Sequence, residues 1–143
     1  MTPLRFSHMA LSCKDPLAVE RFYTKHFGFK RARVVRVDED QVVFIKRDDI
    51  YLEIFRATRD VPAPPATGTG PEYPDWRHLA FQVDNVDAKL KEMSGDAKIT
   101  QGPLDFSSVI PGWRSVWIAD PDGRIVEISQ GYVDQQNLPP LSC

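Results

Sequence analysis

Apolar and polar positions change their period along the chain in an ordered way. A strand-like stretch runs from Leu4 to Leu11. Asp15-Pro16 follows, a capping residue ahead of a proline whose missing N–H is not needed in the first helical turn. Val19, Phe22, Tyr23 and His26 then recur at i, i+3, i+4 and i+7, one face of a helix. Gly28 supplies a residue able to end it in the left-handed conformation. Three strand-like runs come next, Lys30 to Val37, Gln41 to Lys46 and Ile50 to Phe55. The polar turns between them are Asp38-Glu39-Asp40 and Arg47-Asp48-Asp49.

The same order returns further on. His78 to Val83 reads as a strand, and Asn85 caps a helix carrying Val86, Leu90 and Met93, which Gly95 is expected to end. Strand-like runs follow near Ala97 to Gln101, Arg114 to Ala119 and Arg124 to Gln130, the last two joined by the turn signal Asp120-Pro121-Asp122-Gly123. Between the halves, Pro62, Pro64, Pro65, Pro71 and Pro74 take five of the chain's 12 prolines and exclude regular structure. The expected organisation is one domain over residues 1–143. It consists of a first module (4–60), a proline-rich linker (61–75), a second module (76–131) and a tail (132–143). The fold class is α+β: each module reads strand–helix–strand–strand–strand, an internal repeat.

Composition narrows the function. With 143 residues and 42% hydrophobic positions the chain can build one sizeable core without disulfides. Lys and Arg number 18 against 20 Asp and Glu, so the basic excess of a nucleic-acid binder is missing. No apolar run approaches the ~20 residues of a membrane span, and Met1 to Cys13 lacks the pattern of a secretory leader. Cys13 and Cys143 have no metal-type spacing. They suggest free thiols in a reducing compartment, read here as the cytoplasm, with one long-range bridge as the alternative.

Only three histidines are present, and two of them occupy corresponding places. His8 and His78, each read as part of the first strand of its half, are 70 positions apart; each precedes its helix cap by seven residues. Glu53 and Glu127, in the last strands, are 74 apart. Strand side chains alternate between faces. Met9 and Leu11 therefore oppose His8, Leu52 and Ile54 oppose Glu53, Leu79 and Phe81 oppose His78, and Val126 and Ile128 oppose Glu127. One face of each strand is apolar and ready for a helix, and the other carries a His or a Glu. Singly, such residues are commonly structural or solvated. The matched register is what sets these four apart. Two imidazoles and two carboxylates suit one divalent transition metal (Ni, Zn, Co, Mn or Fe) with two positions left for a chelating substrate. A metal so held acidifies a proton beside a bound carbonyl, and an adjacent carboxylate, Glu127 or Glu53, can move it.

His8-Met9-Ala10-Leu11, Glu20-Arg21-Phe22-Tyr23 through Phe27-Gly28-Phe29, Leu52-Glu53-Ile54, His78-Leu79-Ala80-Phe81 with Val83-Asp84, and Asp120-Pro121-Asp122-Gly123 through Val126-Glu127-Ile128 together resemble the vicinal oxygen chelate superfamily. That superfamily includes glyoxalase I, bleomycin-resistance proteins and extradiol dioxygenases. The resemblance implies paired βαβββ modules forming a cupped, mostly antiparallel sheet with helices outside, often in a homodimer. Its glyoxalase I-like lyases use His, Glu, His, Glu in chain order, as His8, Glu53, His78 and Glu127 stand here. The implied function is a metal-dependent lyase or isomerase acting on a small molecule. A ring-cleaving dioxygenase, for which Glu53 would be surplus, and a non-catalytic drug- or metabolite-binding module are the alternatives. One departure bears on the substrate. Typical glyoxalase I enzymes carry an arginine four residues after the first ligand for a glutathione carboxylate, and here Ser12 stands there. By parity Ala10, Ser12, Tyr51, Phe55, Ala80, Gln82, Ile125 and Ser129 share the ligand face, and none is cationic.

Other residues read as structural. His26 ends a helix, where a cation suits the dipole. Trp113 and Trp117 suit core packing, Lys30, Arg31, Arg33 and Arg36 a solvated strand edge. No base stands near Cys13 in sequence to activate it.

Overall fold

Residues 2–142 are described by the structure, a computed structural model. It divides into two compact units. One holds the residues up to Pro65 together with Asp120–Arg124, the other Ala66–Ala119 with the residues from Ile125 onward.

In the first unit, β1 (Met9–Cys13), α1 (Pro16–Phe27), β2 (Lys30–Val37), β3 (Asp40–Arg47) and β4 (Ile50–Arg56) follow in order. The sheet runs β1-β4-β3-β2, with β1 parallel to β4 and the remaining pairs antiparallel. Helix α1 starts where Asp15 accepts a hydrogen bond from Ala18 N and stops at Gly28, whose φ of 69° opens the left-handed turn. Its face of Val19, Phe22, Tyr23 and Phe27 is buried, as are Leu11, Cys13, Ile45, Leu52 and Ile54 of the sheet. Full burial of each large apolar side chain contributes about 1.5–3 kcal/mol, so this layer carries much of the unit's stability. Strand β2 is exposed at every position, a solvated edge as expected.

The second unit repeats the plan with β5 (Leu79–Gln82), α2 (Val86–Met93), β6 (Lys98–Asp105), β7 (Arg114–Ala119) and β8 (Ile125–Gln130), in sheet order β5-β8-β7-β6. Again the first strand is parallel to the last and the other pairs are antiparallel. Asn85 caps α2 through Ala88 N. The fold is therefore α+β, two βαβββ modules with four-stranded mixed sheets.

Three local expectations are corrected. The first strand begins at Met9, not Leu4; Leu4 and Phe6 are 93% and 69% exposed, and alternation there has no partner strand to use it. His8 and His78 accordingly stand one residue ahead of β1 and β5 rather than inside them. Helix α2 ends at Ser94, which takes the positive φ of 54° itself, and Gly95 falls in the short 3-10 turn that follows. Residues 61–75 contain no helix or strand, and neither do residues 131–142. Cys143 lies outside the described residues, while Cys13 is a free, buried thiol. Among the described residues no helix is long and apolar enough to cross a membrane.

The Asp120–Arg124 turn joins two strands of the second sheet yet clusters with the first unit. The Asp120 carboxylate explains both its shape and its anchorage. One oxygen accepts from Asp122 N and Arg124 N, each at 2.9 Å, which sets the turn. The other accepts from the Tyr23 hydroxyl at 3.1 Å and from Arg124 Nη1 at 2.8 Å. Asp122 in turn accepts from Lys14 N at 2.7 Å, just ahead of α1. Burial, and then the Asp120 charge, push the Tyr23 phenol well above its ordinary range. Burial pushes the Cys13 thiol up to about 12.

Candidate metal centre

The parallel pairing of first and last strands decides which residues meet. In the first module Ala10 is the register partner of Glu53; in the second, Ala80 is the partner of Glu127. His8 and His78 each lie two residues before that alanine, so each imidazole is carried toward the glutamate's face. The results match closely. His8 Nε2 is 3.0 Å from Glu53 Oε2, and His78 Nε2 is 2.8 Å from Glu127 Oε2. The spacing of 70 between histidines and 74 between glutamates is thus reconciled by register.

The far side of each ring is also engaged. His78 Nδ1 lies 2.6 Å from the Thr69 carbonyl oxygen. A carbonyl only accepts, so Nδ1 carries the hydrogen and Nε2 is the nitrogen turned toward Glu127. Thr69 is held in turn by Arg77, whose Nε and Nη2 donate to Thr69 Oγ1 at 3.0 and 2.9 Å while Nη1 donates to Pro71 O. Gly70 makes the close fold-back possible: its φ is 125°, and a Cβ there would overlap the Arg77 carbonyl. The proline-rich stretch therefore positions a site histidine as well as joining the halves. His8 Nδ1 has a weaker support, the Ser7 hydroxyl at 2.9 Å, and its ring meets Phe44 edge-on at 5.8 Å.

Each glutamate faces an aromatic neighbour across the antiparallel ladder, Phe44 for Glu53 and Trp117 for Glu127. Trp117 is buried, its ring 6.4 Å from that of His78. Its indole N–H is the one buried side-chain N or O found without a hydrogen-bond partner among the described residues. Trp113 is satisfied differently, donating to Ser129 Oγ at 3.1 Å. His26 is buried, its ring edge-on to Phe22 at 5.4 Å.

The donor set fits a divalent transition ion. Imidazole and carboxylate are donor types that such an ion accepts, and the second nitrogen of His78 is hydrogen-bonded as in metal-ligating histidines. The 3.0 and 2.8 Å separations within the pairs are those of hydrogen-bonded ion pairs. The structure brings His8 to Glu53 and His78 to Glu127. Among the described residues no group of three or more His, Cys, Asp or Glu side chains gathers at one point.

One feature of the first pair's surroundings was missed from sequence. On β3, Lys46 lies directly across from Tyr51, and Phe44 across from Glu53. Opposed residues project to the same face, so Lys46 shares the face of Glu53. None of the residues placed on this face by parity is cationic, and Lys46 adds a cation to it. Parity along the strands that carry the histidines and glutamates does not reach β3; only cross-strand register reveals what it contributes.

The profile of the glyoxalase/bleomycin resistance protein/dioxygenase superfamily matches residues 5–128. The chain belongs to this superfamily. Among its relatives is the Bacillus subtilis protein YwkD, 27% identical over 124 residues, which cover 85% of this chain and 92% of YwkD. Lactoylglutathione lyase from Agrobacterium tumefaciens is 26% identical, with a TM-score of 0.56 over 92% of this chain and 96% of its own. The fosfomycin resistance protein FosX from Listeria monocytogenes, in complex with Mn(II) and sulfate, shares the fold at 17% identity. Its TM-score is 0.62, over 93% and 95% of the two chains.

Proposed function

We propose that this superfamily member is a metal-dependent, glyoxalase-like lyase or isomerase whose metal ligands are His8, Glu53, His78 and Glu127. The observation that carries the reading is the repetition of one His–Glu pair at the same register in both modules. A centre with all four ligands needs the pair of one module and the pair of another, taken from one chain or exchanged in a homodimer. The involvement of Glu53 with His8, in the same way as Glu127 with His78, supports four ligands over a set of two histidines and one glutamate. The similarity to lactoylglutathione lyase and the manganese in FosX support the same class of chemistry.

A bound divalent ion would polarise a carbonyl oxygen of a small substrate chelated through vicinal oxygens. The remaining work falls to the chain. Thr69 fixes the tautomer and aim of His78. Glu127, or its counterpart Glu53, takes the proton from the carbon beside the carbonyl and returns it to the neighbouring carbon. Phe44 and Trp117, across the ladder from Glu53 and Glu127, set an aromatic side chain beside each carboxylate. The place of action is the cytoplasm.

The test is proton exchange. With metal-loaded protein in D2O, a 2-hydroxycarbonyl substrate should gain deuterium at the carbon next to the carbonyl, followed by NMR. Glu127→Gln should keep the fold and slow exchange by at least 100-fold, the scale of general-base catalysis. Exchange at the wild-type rate in this variant and in Glu53→Gln would overturn the assignment.

A further inference from the structure

A cleft of about 740 Å³ opens beside His8, and Arg5, Phe6, Phe44, Lys46, Asp49 and Tyr51 line it. Its size is that of a small-molecule site. Two cations face it, and among the described residues neither is committed to a carboxylate by a salt bridge. Lys46 Nζ stands 5.0 Å from the centroid of the Tyr51 ring. The Tyr51 hydroxyl beside it raises the lysine above its ordinary range, with Asp49 and Asp48 adding less. Lys46 is therefore charged and held over an aromatic face, and Asp49 offsets only one of the two positive charges. The rings of Phe44 and Tyr51 give the cleft an apolar wall along the same face as Glu53.

We infer that this cleft is a carboxylate-binding subsite, in which Lys46 and Arg5 hold the acidic end of a substrate whose vicinal oxygens reach His8 and Glu53. The inference rests on the proposed function and adds the substrate class. Lys46 is two residues along β3 from Phe44, the partner of Glu53, which is roughly 7 Å of strand. The carboxylate therefore sits several bonds from the vicinal oxygens, across a flat or apolar stem that lies against Phe44 and Tyr51. An arginine at position 12 is not needed for such an acid, because the cation comes from the neighbouring strand.

3,4-Dihydroxybenzoate has these parts: vicinal oxygens, a flat ring and a carboxylate at the opposite end. 3,4-Dihydroxybenzamide is its neutral counterpart. Affinities of both probes are measured by calorimetry for the wild-type chain, Lys46→Met and Arg5→Gln, with and without added Zn(II). Melting curves identify variants that retain the fold. The wild type should bind the acid at least tenfold more tightly than the amide, with the gap closing as salt rises. Lys46→Met should weaken acid binding and remove most of that preference, and Arg5→Gln should reduce it. Equal binding of acid and amide by the wild type, no binding of the acid, or a preference intact in both variants would overturn the subsite. Discrimination that persists while Zn(II) makes no difference to either probe would instead count against the metal reading.

Discussion

Glu127 Oε2 lies 2.8 Å from His78 Nε2, on the side of the ring opposite the Thr69 carbonyl. The imidazole is thus gripped from both ends, and its outer grip depends on the fold-back at Gly70. Gly70→Ala would put a Cβ into the Arg77 carbonyl at a φ of 125°, which only glycine tolerates without strain. The expected cost is about 1–3 kcal/mol, with metal affinity lowered by 10-fold or more. Chemical denaturation and metal titration check the two parts. Unchanged affinity in a folded Gly70→Ala would show that Thr69 does not orient His78.

Asp120 offers a second test, this time of stability. Its side chain is fully buried and satisfies the Tyr23 hydroxyl, the Arg124 guanidinium and two backbone N–H groups. Removing it leaves the half-buried Arg124 guanidinium with only the Ser12 carbonyl, and leaves the Tyr23 hydroxyl and two backbone N–H groups without their acceptor. Asp120→Ala should destabilise by about 3 kcal/mol. Tyr23→Phe, which removes one hydroxyl, should cost only about 1 kcal/mol. Urea titrations giving equal losses would mean that the carboxylate does not organise the turn.

Stability should also depend on pH at the alkaline end. The Cys13 thiol, pushed up to about 12 by burial, keeps its proton in the folded chain when an unfolded chain has lost it. The raised Tyr23 phenol acts in the same direction. Both contributions are complete below the unfolded values near 8.5 and 10. As pH rises above about 9, the unfolded state gives up protons first and stability falls, by up to about 1.4 kcal/mol per unit for each group. Denaturation midpoints from pH 8 to 11 should decline steadily. Cys13 should likewise resist iodoacetamide at pH 8 in the folded protein and react after unfolding; rapid native-state labelling would show the thiol to be accessible.

Much of the fold could be read from local sequence, for identifiable reasons. Asp15-Pro16, the stripe from Val19 to His26 and Gly28 carry local signals that tertiary structure had no cause to override, and α1 forms where they place it. The His and Glu of each module were readable because a repeat preserves register. What was not readable depends on partners distant in sequence. Leu4 and Phe6 alternate like a strand, but among the described residues no strand pairs with them. Thr69 reaches His78 through a turn that the prolines did not disclose, and Lys46 joins the ligand face only through the β3–β4 ladder. The role of Asp120 in holding Tyr23 could not be inferred from a turn motif 97 residues away.

In the proposed function the two His–Glu pairs act on one ion. Metal titration of the apoprotein by calorimetry, with elemental analysis of the product, tests it directly. One divalent ion should bind per chain, and His8→Ala or His78→Ala alone should abolish tight binding. Two ions per chain, or a His8→Ala variant that binds as tightly as the wild type, would contradict it.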